Sequence, residues 1–481
     1  MAGAQFVPAS ENTPQTAQLD RALDGIGFTA AHRTILLLII LGGLFDAFEQ
    51  NAIGIVGPIL RHSWGLSGAD IGLLNTATFS FAAIGRLLSG FIGDRYGRRV
   101  MLVTDLVLFT CGAIICALAP NFTVLLIGRA IVGFGLGGEL SIAVTMLAEF
   151  CSARSRGTVV GLLNVGAGGM GNFLAPAFGL LVFFIFPGPD RWRWLFACLV
   201  LPAALGIFYR RFVPETPRYL LSRGDVAQTN LVLAKLASGK LRGTPATIFE
   251  YITPSSGAAP LRSTFQFAEI FKGALARRTI VVAIAVWMTY GAQISVLTLM
   301  PTILVAQGYT ITKSLAFTMV MQGGSLLGAL TASAFGYKVR RKTVLFFGSI
   351  LACLAGLAFG FLAHTVALIM FCGATFQFFV LLLNTTIWIY APELYPTRVR
   401  AFGTAFILAT GTLAGAIMPL VSGHMFDAHG IVGVFGLIAL MYTIFAVCSL
   451  LGPETYGKSL ENANAPSDGG IEVDGVTADH S

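Results

Sequence analysis

Apolar runs of about 20 residues, the length a helix needs to cross a hydrocarbon layer of ~30 Å, recur along almost the whole of this chain. Twelve are counted: near 33–57, 71–92, 100–119, 123–148, 158–186 and 193–212, then near 279–305, 314–336, 343–362, 366–391, 402–423 and 431–451. No soluble core needs so many. With 55% hydrophobic residues, 11% charged ones and a mean hydropathy of +0.78, the chain belongs among membrane proteins. The expected class is an all-α membrane protein with 12 transmembrane helices.

Charge follows the spans. Residues 1–32 are polar and irregular, unlike a secretory signal, and are expected to stay cytoplasmic. An inside N-terminus leaves 25 of the 31 Lys and Arg in cytoplasmic segments, with Arg61, Arg191, Arg193 and Lys313 outside and Arg86 and Arg129 within spans. That bias obeys the positive-inside rule. The net charge of +8 is thus explained by topology, and nucleic-acid binding is the weaker reading. Seven cysteines without a C-x-x-C pair suggest neither a disulfide framework nor a zinc site, and the six histidines show no ligand spacing, so no metal is expected.

The chain repeats itself. Glu149, Arg154 and Arg156 return as Glu393, Arg398 and Arg400, each 244 residues on. Arg98-Arg99 returns as Arg340-Arg341 after 242, and Pro214-Glu215-Thr216 as Pro453-Glu454-Thr455 after 239. The expected layout is a bundle over 33–213, a linker with short helices over 214–278, a second bundle over 279–452 and a cytoplasmic tail over 453–481. Parallel six-helix repeats place a solute site near the midplane, between halves that rock against each other.

Gly93-Asp94-Arg95-Tyr96-Gly97-Arg98-Arg99 resembles the loop signature between helices 2 and 3 of the major facilitator superfamily. Gly128-Arg129 leading into Gly133-Phe-Gly135-Leu-Gly137-Gly138-Glu139, with Pro214-Glu215-Thr216-Pro217-Arg218-Tyr219-Leu220, resembles its sugar-porter-like branch. Sugar itself is demoted, because Tyr290-Gly291-Ala292-Gln293-Ile294-Ser295 departs from the paired glutamines of sugar porters. Phe45-Asp46-Ala47-Phe48-Glu49 and Tyr390-Ala391-Pro392-Glu393-Leu394-Tyr395-Pro396-Thr397-Arg398 are similar to aromatic acid, nicotinate and organic-ion transporters. The resemblance implies the major facilitator fold, two pseudo-symmetric six-helix bundles, and a small carboxylate as first choice of solute.

Within the first span, Asp46 and Glu49 are three residues apart, on one helix face. Each charge inside a span costs about 2.5 to 3.5 kcal/mol on insertion scales, so a pair needs a purpose. Glu49 is read as the proton carrier, with Asp46 beside it and Arg129 of the fourth span as counter-ion; a static ion pair is the alternative. Once Glu49 takes a proton, Arg129 is free to attract an anionic solute, which links the two. Glu139 is left between the cytoplasmic charge network or a helix contact on one hand and a solute contact on the other, and Arg86 is expected to snorkel to the inner surface.

Asp94, Arg95, Arg98 and Arg99 are assigned to gating, since in resembling proteins Asp94 bonds to a neighbouring helix end; Glu149, Arg154, Arg156, Glu393, Arg398 and Arg400 are assigned with them. The second half offers only neutral polar and aromatic groups: Tyr290, Gln293, Gln322, Gln377, Asn384, Trp388 and Tyr390, of which Gln293, Trp388 and Tyr390 are favoured for the solute. An aromatic wall with one arginine suits a flat carboxylate. Two nucleotide-loop patterns are decoys: Gly452 to Ser459 follows an apolar span, and Gly166 to Gly171 lies inside one.

These readings point to a secondary active transporter in the cell membrane, both termini cytoplasmic, functional as a monomer. It would carry a small organic or aromatic carboxylate with protons, and no cofactor but the proton is expected. A sugar, polyol or organic-ion facilitator or exchanger without proton coupling is the alternative, and a transporter-like sensor a lower one. No nucleophile or metal set suggests an enzyme.

Overall fold

The computed structural model describes residues 15–201, 203–243, 245, 248–253, 267–335, 339–363, 365–395 and 399–454. Among them, Ala153, Arg154, Arg156, Gly157, Ala203, Arg210, Phe267, Ala268, Ala274, Pro392, Arg400 and Ala401 are described for backbone alone. Arg398 and the Gly457 to Ser459 stretch therefore lie outside the described residues, as do the side chains of Arg154, Arg156 and Arg400.

Among the described residues the regular structure is helical. A short α1 (Gln15–Ile26) precedes α2 (Ala30–Trp64), α3 (Gly68–Tyr96), α4 (Arg98–Leu118) and α5 (Phe122–Phe150). The fifth span is α6 (Ala153–Asn164), a π-helical turn (Val165–Met170) and α7 (Gly171–Ile185); the sixth is broken into α8 (Arg191–Cys198) and α9 (Ala203–Phe212). The sequence at that break carries Pro202, which disfavours helix in the residue before it. Then come α10 (Pro217–Ser222), α11 (Val226–Ser238), a 3-10 turn (Phe267–Phe271), α12 (Gly273–Ala306), α13 (Ile311–Phe335), α14 (Arg341–Leu362), α15 (Val366–Glu393) and α16 (Arg400–Leu451).

Among the described residues, ten helices are long and apolar enough to span. The broken α8–α9 pair adds one, and α16 supplies two, because Gly430 leaves helical geometry at φ 63°, ψ −150° and reverses the chain there. Sequence reading ended the eleventh span near 423. In the structure the helix continues to His429, since a glycine in the left-handed region completes the turn in one residue. The first span is likewise longer than expected, passing through Pro58 to Trp64. Proline is tolerated in membrane helices because neighbouring groups take up the freed carbonyl.

Within the first half α5 packs on α3 and α4, and within the second α15 packs on α13 and α14 while the first part of α16 lies along α12. The halves meet where α3 lies against α16, α2 against α12 and α7 against α13. These seams are tight: a Cβ at Gly54 would sit 2.1 Å from the Leu297 carbonyl, and one at Gly72 would sit 2.6 Å from Leu420 Cα. Cross-half hydrogen bonds run from Asp427 at the Trp64 end, through Asn75 to Thr298 and Thr76 to Ala416, to Arg86 with Thr412 and Asn164 with Thr385. A second apolar cluster joins α1 (Leu19, Leu23) to α11 (Leu233, Leu236) and to Tyr251 and Ile252. Gln18 fastens it by bonding Thr253.

Candidate functional site

The glycines of α5 decide how close its charges come to other helices. A Cβ at Gly133 or Gly137, one turn apart on the same face, would lie 2.0 Å from Thr78 O or 1.9 Å from Ala82 O of α3. Gly135 faces the other way, where a Cβ would lie 2.5 Å from Asp105 O of α4. Three backbones therefore converge on this stripe. Arg129 and Glu139 flank it, 0% and 3% exposed.

Arg129 pairs with Glu49, and both side chains are fully buried. Its Nη1 donates to Glu49 Oε1, its Nε donates to Thr78 Oγ1 at 3.0 Å, and its Nη2 donates to the Glu49 backbone carbonyl at 3.4 Å. Glu49 Oε2 has no hydrogen-bond partner. Each nitrogen of Arg129 thus makes one hydrogen bond in this arrangement, three of the five N–H groups a guanidinium carries. Such a pair roughly balances Coulomb gain against desolvation, which makes it sensitive to a proton or to entering water.

Asp46 shares a face with Glu49, yet it has other neighbours. Glu139, Asp105, Glu49 and Arg86 act on it electrostatically. Asp105 of α4 is 0% exposed and accepts from Ser89 Oγ at 3.0 Å. Glu139 lies beside the Tyr209 hydroxyl: a Cβ at Gly42 would meet Tyr209 Oη at 2.1 Å and Glu139 Oε1 at 2.6 Å. Tyr209 itself donates to Leu38 O at 3.1 Å. Glu139 is therefore packed between α2 and α9. One oxygen each of Asp46, Asp105 and Glu139 lacks a partner. Sequence reasoning passed over Asp105, although an acid inside the third apolar run was a readable signal.

Arg86 corrects an expectation. It does not snorkel outward; its Nη1 donates to Thr412 Oγ1 of the other half at 2.7 Å, and its Nε is buried without a partner. Tyr290 of α12 and Asp46 of α2 both act on its charge. The Tyr290 hydroxyl in turn accepts from Trp388 Nε1, and one turn along Asn384 Nδ2 donates to Gln293 Oε1 at 2.5 Å. α12 and α15 thus present two stacked polar pairs. Gln322 and Gln377 form a separate group around Ser325, whose hydroxyl lies 2.6 and 3.5 Å from their carbonyl oxygens.

Tyr390 does not join that set. Two residues past Trp388 the helix has turned about 200°, and the Tyr390 hydroxyl donates to Pro453 O at 2.6 Å. Its ring lines a narrow cleft with Val282, Lys342, Leu345 and Phe445.

The loop at 93–99 is held by carboxylates. Arg98 pairs with Asp94 at 2.6 Å and with Glu149 at 3.3 Å, its guanidinium 5.1 Å from the Tyr219 ring centre. At the start of α4, Glu215 accepts from the amides of Arg98 and Arg99 at 3.1 and 3.2 Å. Asp94 is 72% exposed and is paired within its own turn. Arg95 contributes its carbonyl, which accepts from Tyr219 Oη at 3.2 Å. In the second half Arg341, not Arg340, bonds Glu393 at 3.1 Å, so the structural repeat of Arg98 and Glu149 is offset by one from the aligned arginine pairs.

Residues 47–465 match the family described as sugar (and other) transporter. The chain belongs to that family, within the major facilitator superfamily. It is therefore a multi-pass membrane transporter of small solutes, not an enzyme, with the twelve-helix fold of the superfamily. This transporter is 32% identical over 435 residues to the niacin transporter NiaP of Acinetobacter baylyi, covering 90% of this chain and 96% of that one. It is 28% identical over 409 residues to the gallate transporter of Pseudomonas putida, covering 83% and 87%. Among solved structures, the partially occluded inward-open xylose transporter XylE from E. coli superposes with a TM-score of 0.71 at 20% identity, covering 90% of this chain and 100% of that one. That likeness is one of fold.

Proposed function

We propose that this transporter is a symporter that moves a small organic carboxylate together with protons by rocker-switch alternating access. The observation that carries the reading is the sealed Glu49–Arg129 pair joining α2 to α5. A proton on Glu49 cancels one charge of the pair and leaves a guanidinium that must find another anion or water. The pair's stability then depends on which side is open, which is what coupling requires. Relatives named for niacin and gallate transport support a flat carboxylate as solute. The charge-loop clusters at 93–99 and around Arg341 would open and close the face assigned to the cytoplasm, where both termini lie. The proton serves as coupling ion, and one chain holds the whole site.

The test is uptake of labelled nicotinate and gallate into proteoliposomes under an imposed pH gradient. Glu49→Gln is expected to abolish gradient-driven accumulation while leaving solute exchange at equal pH. Accumulation unchanged by that substitution rejects the coupling role.

A further inference from the structure

Arg86 and Arg129, the two arginines that the sequence places within spans, differ in what their nitrogens touch. Arg129 has all three nitrogens bonded. Arg86 keeps an unpartnered Nε in the seam between the halves and touches Thr412 across it. We propose that Arg86, not Arg129, receives the carboxylate of the transported solute, and that Asp46 competes with the solute for this charge in a proton-dependent way. The inference rests on the carboxylate-symport reading above and names the group that performs recognition.

A guanidinium binds a carboxylate best through a fork of parallel N–H groups. Arg86 has Nε and its Nη edge for that fork. The surroundings fit a flat ring behind the carboxylate: Tyr290, which acts on Arg86 electrostatically, carries the hydrogen bond from Trp388. Asn384 and Gln293 stand one turn away to meet a polar ring atom or hydroxyl.

Asp46 supplies a second link to protons, beside that of Glu49. It belongs to a crowd of acids, with Glu49 on its own helix, Asp105 on α4 and Glu139 on α5, while Tyr209 approaches from α9 and Arg86 from α3. Glu49 has Arg129 as its own partner, and of the other acids Asp46 bears on the Arg86 charge. An ionised Asp46 bears on the Arg86 charge and weakens its pull on a second anion. A proton on Asp46 removes that effect, so proton and anion favour each other's binding, as linkage demands. Because Arg86 reaches Thr412 in the opposite half, its occupancy also bears on the seam that must part during rocking.

The experiment measures binding by titration calorimetry on the purified full-length chain, at one acidic and one alkaline pH. The probes are nicotinate and benzoate, with nicotinamide and benzamide as neutral counterparts of the same shape. The wild type should prefer each acid to its amide and bind the acids less well at alkaline pH. Arg86→Gln should lower acid affinity about tenfold or more, the worth of a charge-assisted hydrogen bond, with amide binding unchanged. Arg86→Lys, which keeps the charge but not the fork, should lose most of the preference and serves if the glutamine variant fails to fold. Asp46→Asn should keep acid binding and flatten its pH dependence. If both Arg86 variants discriminate as the wild type does, or Asp46→Asn keeps the full pH slope, the inference is overturned by itself. A wild type that binds none of the four probes overturns the carboxylate reading and the inference with it.

Discussion

The Asp427 carboxylate caps the first turn of α3 from the opposite half of the molecule, accepting from the amides of Gly68 and Ala69 at 2.9 and 3.0 Å. A helix N-terminus carries unsatisfied N–H groups and a partial positive charge, so an anion there is favourable. Arg61 stands 3.8 Å away and adds to the latch. Any rocking that parts α3 from α16 at this end has to break the bond.

Asp427→Ala should therefore favour opening of that end. A partly exposed contact of this kind is worth about 1 kcal/mol, or several-fold in the equilibrium. Labelling a cysteine placed at Thr302, which is 3% exposed on the closed side, should speed up by that factor. An unchanged labelling rate would show that the latch does not hold the closure.

Breaking the buried pair should cost stability from either side. Glu49→Gln and Arg129→Met should each lower the melting temperature in detergent, with losses of about 3 to 5 kcal/mol where a full charge is left uncompensated. Replacing both by methionine should recover much of that loss and still give no proton-driven uptake. Recovery of stability without recovery of transport separates the pair's functional role from its structural one.

The glycine stripe of α5 should be intolerant of even one methyl group. At Gly137 a Cβ would meet Ala82 O at 1.9 Å, backbone against backbone, with no flexible side chain to yield. Overpacking of this sort costs about 1 to 3 kcal/mol, so Gly137→Ala should lower the melting temperature and the yield of folded protein. Gly161→Ala, with open space around it, is the matched control and should behave as wild type.

The brace at 93–99 should depend on pH through Glu215. Burial pushes its carboxyl above the usual glutamate range, against the opposing pull of the Thr216, Arg99 and Arg98 amides and the Arg98 charge. For a group raised on folding, the contribution is fully present below the unfolded value and is lost as pH rises through the folded one. Glu215→Gln should remove that loss, flattening the melting temperature across the interval just above the ordinary glutamate value. A wild-type slope in the glutamine variant would place the pH dependence elsewhere.

Much of the site could be read from residue type alone. An acid or arginine in an apolar run is costly enough to demand a partner, and that argument singled out Asp46, Glu49, Arg129 and Glu139. The same argument holds for Asp105 inside the third apolar run, where it was not applied. Arg86 was misplaced because its position suited snorkelling equally well, and nothing in the spacing records that α16 passes beside it carrying Thr412.

By itself the sequence determined the twelve spans, the halves and the kinds of charge each span brings inside, because hydrophobic length and the cost of buried charge are local quantities. Which acid meets which arginine was decided by tertiary structure. Asp46 and Glu49 differ by only about 4.5 Å of helix rise, yet Glu49 meets Arg129 while Asp46 falls among Asp105, Glu139 and Arg86. Periodicity states which face a residue occupies. The glycine contacts that set how close α3, α4 and α5 approach decide what that face encounters.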